Sequence, residues 1–300
     1  MANAIKSHNP PALNGSLAVF AILVSCLVIF LARAGQSYLR IPANGANLRA
    51  LVAGNARPVV VFEAGAGGPL ESWVRIQPGV SKFARTFSYD RAGNGLSTKG
   101  SLPRDGRNIA AELHAALKNA GLPPPYILVG HSLGGPYIRV FAGLYPNEIA
   151  GLVLVDPTQE ELIAWSKARD PKSNLDNRNR LDNEVDCAPA TFAQANENPL
   201  PKAPIVLISG QGPTIVPSFV GDEIRKEILK DQGEIYPAKL LFYKQWLSQF
   251  PAARLIVTEK SGHGIPYEEP ELVIDAIRQV IAGSAVISRP STVSSETQPP

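Results

Sequence analysis

The chain has 300 residues, of which 45% are hydrophobic and 18% are charged, which is the balance of an ordinary globular protein. Its formal net charge is only +3, and its lysine and arginine residues are scattered, so charge gives no reason to expect a nucleic-acid partner. Two cysteines, Cys26 and Cys187, are too few for a disulfide scaffold.

The first predicted element is an uncharged apolar segment at residues 17–32, LAVFAILVSCLVIFLA. As a helix this segment would span about 24 Å, which is less than the roughly 30 Å hydrocarbon core of a bilayer and suits a signal peptide slightly better than an anchor. Ala32-Arg33-Ala34 offers a small-x-small cleavage site before Gly35, although arginine is unusual there. We therefore assign residues 1–35 to either a cleaved signal or a retained membrane anchor. In both cases the rest of the chain is expected outside the cytoplasm or on a membrane surface.

Short apolar runs then alternate with helical patterns along the chain. The strand-like runs LRALVAG, PVVVFEAGAGG, ARTFSY, YILVG, IAGLVLVD, APIVLISG and ARLIVTEKSGH begin at Leu48, Pro58, Ala84, Tyr126, Ile149, Ala203 and Ala253. Helical spacing of apolar residues is found at residues 108–120, 136–145 and 270–282. Strands separated by helices predict an α/β fold, in which a mostly parallel sheet is covered by helices on both faces.

Two regions depart from this alternation. Residues 158–202 are polar and rich in Asn, Asp and Arg, which predicts an excursion over the sheet rather than a core element, and a small lid. Residues 284–300 contain mostly Ser, Thr and Pro and are expected to form a disordered tail. The main domain is therefore predicted at residues 36–283, with the lid at about 158–202.

Ser132 lies in the stretch YILVGHSLGGPYI, between a predicted strand and a predicted helix. A serine hydroxyl is a poor nucleophile at neutral pH, so it needs exposure, a nearby base and donors that hold a developing oxyanion. Gly130 and Gly134 leave room for a sharp turn around the serine, and Gly-x-Ser-x-Gly in this context is a nucleophile elbow. The N–H of Leu133 lies at the start of the helix, where an anion is favoured.

From about Ile41 to Ala282 the chain resembles the α/β-hydrolase superfamily. VVVFEAGAGG is similar to the strand and oxyanion loop of that family, with Ala64-Gly65 in place of the usual His-Gly and Ala66 at the second oxyanion N–H. YDRAGNGLS is similar to the family's Asp-Arg-x-Gly-x-Gly-x-Ser turn, GHSLGG to its elbow and SGHGIP to its histidine loop. For the Asp and Arg of that turn, at positions 90 and 91, we favour a role in bracing the turn over contact with substrate.

His263 is the predicted base. His8 precedes the apolar segment, His114 lies within a predicted helix, and His131 is the variable residue of the elbow, which we expect to aim away from the serine. His263 follows a strand, lies between two glycines and comes last in the chain, as the serine, acid, histidine order of the family requires.

For the acid of the triad, the sequence offers more than one carboxylate. The family most often places a carboxylate shortly after the strand PIVLISG, but residues 211–214 contain none. Asp156 ends the preceding strand, and the carboxyl ends of parallel strands carry the chemistry of such sheets. Some members of the family take the acid from that strand. We therefore predict Asp156, which could alternatively cap the next helix, and keep Asp222 or Glu223 as the next candidates.

These residues predict a serine hydrolase that acts on a carboxylic ester through an acyl-enzyme, with Ser132, His263 and Asp156 as its triad and the N–H groups of Ala66 and Leu133 as its oxyanion hole. The substrate is expected to be a small-molecule or lipid-like ester, and the N-terminal segment implies a membrane as a partner. The mechanism needs neither a cofactor nor a metal. The alternatives are a catalytically silent binding protein of the same fold, and an acyltransferase, lactonase or amidase that uses the same triad.

Overall fold

The computed structural model of the protein describes residues 38–169, 182–213 and 222–287, and in the last range the side chains of residues 233–284. The apolar segment at residues 17–32 and most of the predicted tail lie outside these ranges. Within them, no helix combines the length and the apolar character that are needed to cross a membrane.

The described residues contain an eight-stranded sheet in the order β1-β2-β4-β3-β5-β6-β7-β8. The first two strands form an antiparallel hairpin, β2 pairs antiparallel with β4, and the remaining pairs are parallel, as the alternating pattern predicts. The strands are β1 (Leu39–Ala43), β2 (Ala46–Ala53), β3 (Val59–Glu63), β4 (Arg85–Tyr89), β5 (Tyr126–His131), β6 (Ile149–Val155), β7 (Ile205–Gly210) and β8 (Arg254–Thr258).

Strand β1 was not evident from the sequence. It is an edge strand with an exposed Leu39 and with Pro42 in its middle, so it has no continuous apolar run. Asn44 and Gly45 connect it to β2, and both have positive φ, at 44° and 89°. A two-residue turn with this backbone matches the twist of a hairpin.

The longer helices in the described ranges are α1 (Gly106–Asn119), α2 (Gly134–Leu144), α3 (Glu160–Arg169), α4 (Ala188–Glu197), α5 (Asp222–Leu247) and α6 (Pro270–Ile287). The last helix ends five residues beyond the expected end at residue 282, so residues 284–287 are helical and do not belong to the predicted tail. Helices α1, α2 and α6 match in position the three helices predicted from the sequence, whereas α3, α4 and most of α5 were not predicted.

Alternate side chains of the central strands pack on opposite faces of the sheet. On one face Val61 and Leu128 belong to an apolar cluster that includes Phe141 of α2. On the other face Phe62 belongs to a cluster that includes Ile277 of α6. This two-sided burial explains why the parallel strands are almost continuously apolar in sequence.

The segment at residues 158–202 is only partly an excursion. Its second half contains α4, which packs against α1 and α2 and buries Thr191 and Phe192. Thr191 Oγ1 also accepts a hydrogen bond from the N–H of Gly106 at 3.0 Å. The prediction that this segment has no core element was therefore wrong for α4, because the polar residues of that helix obscured the apolar positions on one of its faces.

Candidate active site

Ser132 lies in a sharp turn between β5 and α2. Its φ of 53° is in the left-handed region, which is strained for a residue with a side chain. Hydrogen bonds hold this conformation, because the serine N–H donates to the carbonyl of Val155 at 3.2 Å and the serine carbonyl accepts from the N–H of Thr158 at 2.9 Å. A Cβ at Gly134 would lie 2.3 Å from the carbonyl oxygen of Glu63, so only glycine allows the helix to start this close to β3.

The three residues of the predicted triad form a chain of hydrogen bonds. His263 Nε2 lies 3.0 Å from Ser132 Oγ, and His263 Nδ1 lies 2.7 Å from Asp156 Oδ2. A carboxylate only accepts hydrogen bonds, so Nδ1 carries the proton and Nε2 is the nitrogen that can accept one from the serine. Ser132, Asp156 and His263 follow β5, β6 and β8, so the parallel sheet brings their side chains together at its carboxyl edge.

Asp156 does not cap the following helix, because its carboxylate is engaged elsewhere. It has a φ of 41°, is 3% exposed, and its Oδ1 accepts from the N–H of Gly210 at 3.0 Å. The ammonium of Lys239, on α5, lies 2.8 Å and 3.1 Å from its two oxygens. Burial alone would raise the pKa of Asp156, but the hydrogen bond from His263 and the charge of Lys239 outweigh it and hold that pKa below its ordinary value.

Two other carboxylates are candidates for the acid. Asp222 and Glu223 begin α5, and their side chains lie outside the described part of the chain.

His131, which we expected to aim away from the serine, contacts the loop of His263. Its Nε2 lies 2.9 Å from the carbonyl oxygen of His263, and the two imidazole rings are 4.8 Å apart. Burial, with a contribution from the neighbouring His263, lowers the pKa of His131 to about 4, so this ring is neutral at pH 7 and can donate an N–H to that carbonyl. The same loop lies directly on the end of β7, where a Cβ at Gly210 would be 1.9 Å from the carbonyl oxygen of Gly262.

The loop at residues 64–67 carries the predicted oxyanion donor Ala66. None of the hydrogen bonds found between described residues uses the N–H of Ala66 or that of Leu133. Their role as oxyanion donors remains a prediction.

A buried arginine holds this loop in place. Arg91 is 1% exposed and donates to the carbonyls of Ala64 and Gly65 at 2.7 Å and 2.5 Å. It also pairs with Glu63 and Glu184, each at 2.7 Å, and the second of these carboxylates accepts the N–H of residue 67 at 3.2 Å. Arg91 thus braces the loop at residues 64–67 in two ways: it donates hydrogen bonds to the loop backbone, and it pairs with the carboxylates of Glu63 and Glu184.

Asp90 braces the neighbouring turn, as predicted. Its carboxylate accepts hydrogen bonds from the N–H groups of Leu70 and Leu96 at 2.8 Å and 2.9 Å, and from Arg49 at 3.2 Å. It is fully buried by these contacts, so it is not exposed to a substrate.

A cavity of about 310 Å³ lies beside the serine and is lined by Ser132, Asp156, His263 and residues of α3 and α5. Leu162, Ile163 and Ile235 give it an apolar wall. A larger cavity of about 880 Å³, lined by residues that include Arg139, Trp246 and Phe250, contains none of the three triad residues. Among the described residues, no group of three or more His, Cys, Asp and Glu side chains could hold a metal ion.

Lys239 and Glu184 were both missed from the sequence. They lie 83 and 93 residues from Asp156 and Arg91, their partners in the site. Neither belongs to a motif. Glu184 lies in a polar stretch and Lys239 precedes the apolar run Leu240-Leu241-Phe242, but a single charged residue has the same appearance in sequence whether it is solvated or buried in an ion pair.

Residues 58–211 match the family described as alpha/beta hydrolase fold. The uncharacterized protein YqjL of Bacillus subtilis (strain 168) is 27% identical over 227 residues, which cover 76% of this chain and 85% of that relative. The solved structure of a mutant of a candidate epoxide hydrolase from Pseudomonas aeruginosa has a TM-score of 0.60 at 14% identity and covers 85% of this chain and 98% of its own. A candidate lipase from Acinetobacter baumannii has a TM-score of 0.55 at 18% identity, with coverages of 85% and 93%. At these identities the two structures show a common fold.

Proposed function

The chain belongs to the α/β-hydrolase fold family, and on that premise we propose that it is a serine hydrolase that cleaves a carboxylic ester through an acyl-enzyme on Ser132. The observation that carries this proposal is the hydrogen-bond chain from Ser132 Oγ through His263 to Asp156, at 3.0 Å and 2.7 Å. These distances are within the range that proton transfer between a nucleophile and its base requires.

In the first half of the reaction, His263 Nε2 accepts the proton of Ser132 Oγ while this oxygen bonds to the ester carbonyl carbon. The N–H groups of Ala66 and Leu133 stabilise the oxyanion, and Asp156 stabilises the imidazolium that forms. His263 then gives its proton to the alkoxide that leaves, so an alcohol departs and the acyl group remains on the serine.

In the second half, a water molecule replaces the alcohol. His263 Nε2 accepts a proton from the water as its oxygen attacks the acyl carbon, and the same donors hold the second oxyanion. The bond to Ser132 Oγ then breaks, the serine recovers its proton from His263, and the carboxylic acid is released.

The cavity beside Ser132 supports an apolar acyl group. Its wall of Leu162, Ile163 and Ile235 offers no charge to a substrate, and its volume of about 310 Å³ is at the lower end of the range typical of ligand pockets. The similarity of fold to a candidate lipase is consistent with an ester substrate. We expect esters with short to medium acyl chains to be preferred over those of long fatty acids.

The N-terminal segment supports a location outside the cytoplasm or on a membrane surface. Residues 17–32 contain no charged residue, and export or membrane insertion accounts for such a run. Cell fractionation followed by mass measurement of the N-terminus tests this: we expect either a membrane-bound full chain or an exported chain that begins near Gly35. A full-length chain that stays in the soluble cytoplasmic fraction would contradict it.

A fluorophosphonate probe tests the proposed activity, because it phosphonylates serines that an adjacent base activates. We expect the native protein to be labelled and Ser132→Ala to remain unlabelled while keeping its fold. Thr158→Val is the matched control, since its hydroxyl lies 3.4 Å from Ser132 Oγ and is not the predicted nucleophile. Absence of labelling in the folded native protein would refute the proposal and favour a silent binding protein.

A further inference from the structure

Lys239 has no role in the serine hydrolase mechanism described above, yet it touches the residue that orients the base. It lies on α5 and is 5% exposed, and its ammonium is hydrogen-bonded to both oxygens of Asp156. We propose that Lys239 is a positioning residue of the active site, which holds Asp156 ionised and aimed at His263. This inference rests on the proposed function and extends it to a fourth residue.

All three N–H donors of the ammonium have an oxygen in reach. Nζ lies 2.8 Å and 3.1 Å from the two oxygens of Asp156 and 2.7 Å from the carbonyl oxygen of Gly210, at the end of β7. The ring of Tyr236 lies 4.7 Å from the same ammonium and adds a cation–π contact. Lys239 therefore connects the residue that follows β6 to the end of β7, and its geometry leaves no donor for a substrate.

The contact with Lys239 supplies Asp156 with a counter-charge that its other hydrogen bonds do not provide. One carboxylate oxygen is used by His263 Nδ1 and the other by the N–H of Gly210. Without the ammonium, a buried carboxylate at 3% exposure would keep a hydrogen bond to each oxygen but lose its full counter-charge. A buried carboxylate without a counter-charge takes up a proton more readily.

The other titratable groups around this pair do not replace the charge of Lys239. His131 faces His263 from the elbow and is neutral, since burial and the neighbouring His263 lower its pKa to about 4. Tyr243 donates to the carbonyl of Pro157, and burial raises its pKa well above the ordinary value, so it also remains neutral. Tyr236 donates its hydroxyl proton to the carbonyl of Gly212 at 2.8 Å. Among the described side chains, Lys239 is thus the cation that contacts Asp156 directly.

The consequence is a specific dependence of activity on pH. Activity in acid requires both an ionised Asp156, which orients His263, and a neutral His263, which accepts the proton of Ser132. Removing a nearby cation favours the protonated form of both groups. Part of the lowering of the Asp156 pKa comes from the charge and hydrogen bonds of Lys239. Removing the charge should therefore make the enzyme lose activity at a higher pH as the solution is acidified.

The test uses Lys239→Met and Lys239→Gln, with Lys244→Met as the matched control. Lys244 is on the same helix and is exposed, so its substitution removes the same charge from outside the site. We expect the acid limb of the kcat/KM profile for a small activated ester to move to higher pH in both Lys239 variants, and to coincide with the native limb in Lys244→Met. At the pH optimum we expect kcat to fall about 100-fold in the Lys239 variants, since misplacement of a catalytic group by about 1 Å costs this much.

The outcomes separate this inference from the proposed function. If the native protein neither hydrolyses esters nor reacts with a fluorophosphonate, the proposed function fails. If the native protein is active and folded Lys239→Met has the native acid limb, Lys239 is only structural and the inference is overturned.

A measurement on the native chain covers the case in which Lys239→Met does not fold. With lysine labelled with ¹⁵N at Nζ, we expect one ammonium resonance to shift with pH in step with the acid loss of activity. This resonance should be absent in Lys239→Arg, which keeps a cation at the site. If no lysine resonance follows the loss of activity, the inference is overturned.

Discussion

Replacing Arg91 by methionine should lower the free energy of unfolding by about 3–5 kcal/mol, which is the cost of breaking a buried ion pair from one side. The guanidinium is 1% exposed and lies 2.7 Å from both Glu63 and Glu184. Its removal leaves two carboxylates buried without this cation. Burial, opposed by the charge of Arg91, already raises the pKa of Glu63, so Glu63 can take up a proton in the variant. This protonation keeps the expected loss near the lower end of the range.

Arg107→Met is the matched control for this measurement. Arg107 pairs with Glu197 at the surface, where the two side chains are 55% and 40% exposed. An exposed pair of this kind contributes about 0.2–1 kcal/mol. Urea denaturation of native, Arg91→Met and Arg107→Met proteins, followed by tryptophan fluorescence at pH 7, measures the difference directly.

The same variant tests the link between Arg91 and the oxyanion loop. Arg91 donates to the carbonyls of Ala64 and Gly65, so its loss should slow fluorophosphonate labelling of the folded protein, whereas Arg107→Met should be labelled at the native rate. Equal losses of stability in the two variants would refute the reasoning about burial. An unchanged labelling rate in folded Arg91→Met would refute the role in holding the loop.

Other expectations concern the acid, the elbow and the dependence of stability on pH. Asp156→Asn should lower kcat for a small activated ester about 10⁴-fold, and Asp222→Asn should have little effect; the reverse ranking would show that the acid is misassigned. Gly134→Ala should destabilise the protein by about 1–3 kcal/mol or more in a thermal or urea melt, because its Cβ would lie 2.3 Å from a backbone oxygen; a native melting curve would be inconsistent with the elbow described. Burial alone would raise the pKa of Glu184, but the charge and hydrogen bonds of Arg91 outweigh it and hold that pKa below its ordinary value. The stability that Glu184 contributes is therefore present above its unfolded-state pKa and is lost as the pH falls through its folded-state pKa. The stabilities of native and Glu184→Gln proteins should therefore converge in acid, and a difference that does not change with pH would contradict this.

The sequence was informative wherever burial on both faces or a motif left a local signal. The continuous apolar runs predicted the parallel strands. Ser132 and Asp156 directly follow β5 and β6, and His263 lies in the loop after β8, so the three side chains meet at one edge of the sheet. Their roles in catalysis remain predictions, and their arrangement at one edge of the sheet follows from parallel topology alone.

The features that were missed depend on contacts between distant parts of the chain. Lys239 and Glu184 contact residues more than 80 positions away, and their burial has no periodic signature. Strand β1 was missed because an edge strand with Pro42 has polar and exposed positions on both sides. Helix α4 was missed because its buried side includes Thr191, a polar residue whose hydroxyl is satisfied by a hydrogen bond that only the fold provides.

The most direct test of the central claim is to trap the acyl-enzyme on Ser132. A short-chain nitrophenyl ester is mixed rapidly with the native protein, the reaction is quenched in acid during the first turnovers, and the digested protein is analysed by mass spectrometry. We predict a burst of nitrophenol and an acyl group on the peptide that contains Ser132, with neither in Ser132→Ala. Steady hydrolysis by the native protein with no acyl group on that peptide, or with the acyl group on another residue, would contradict the account.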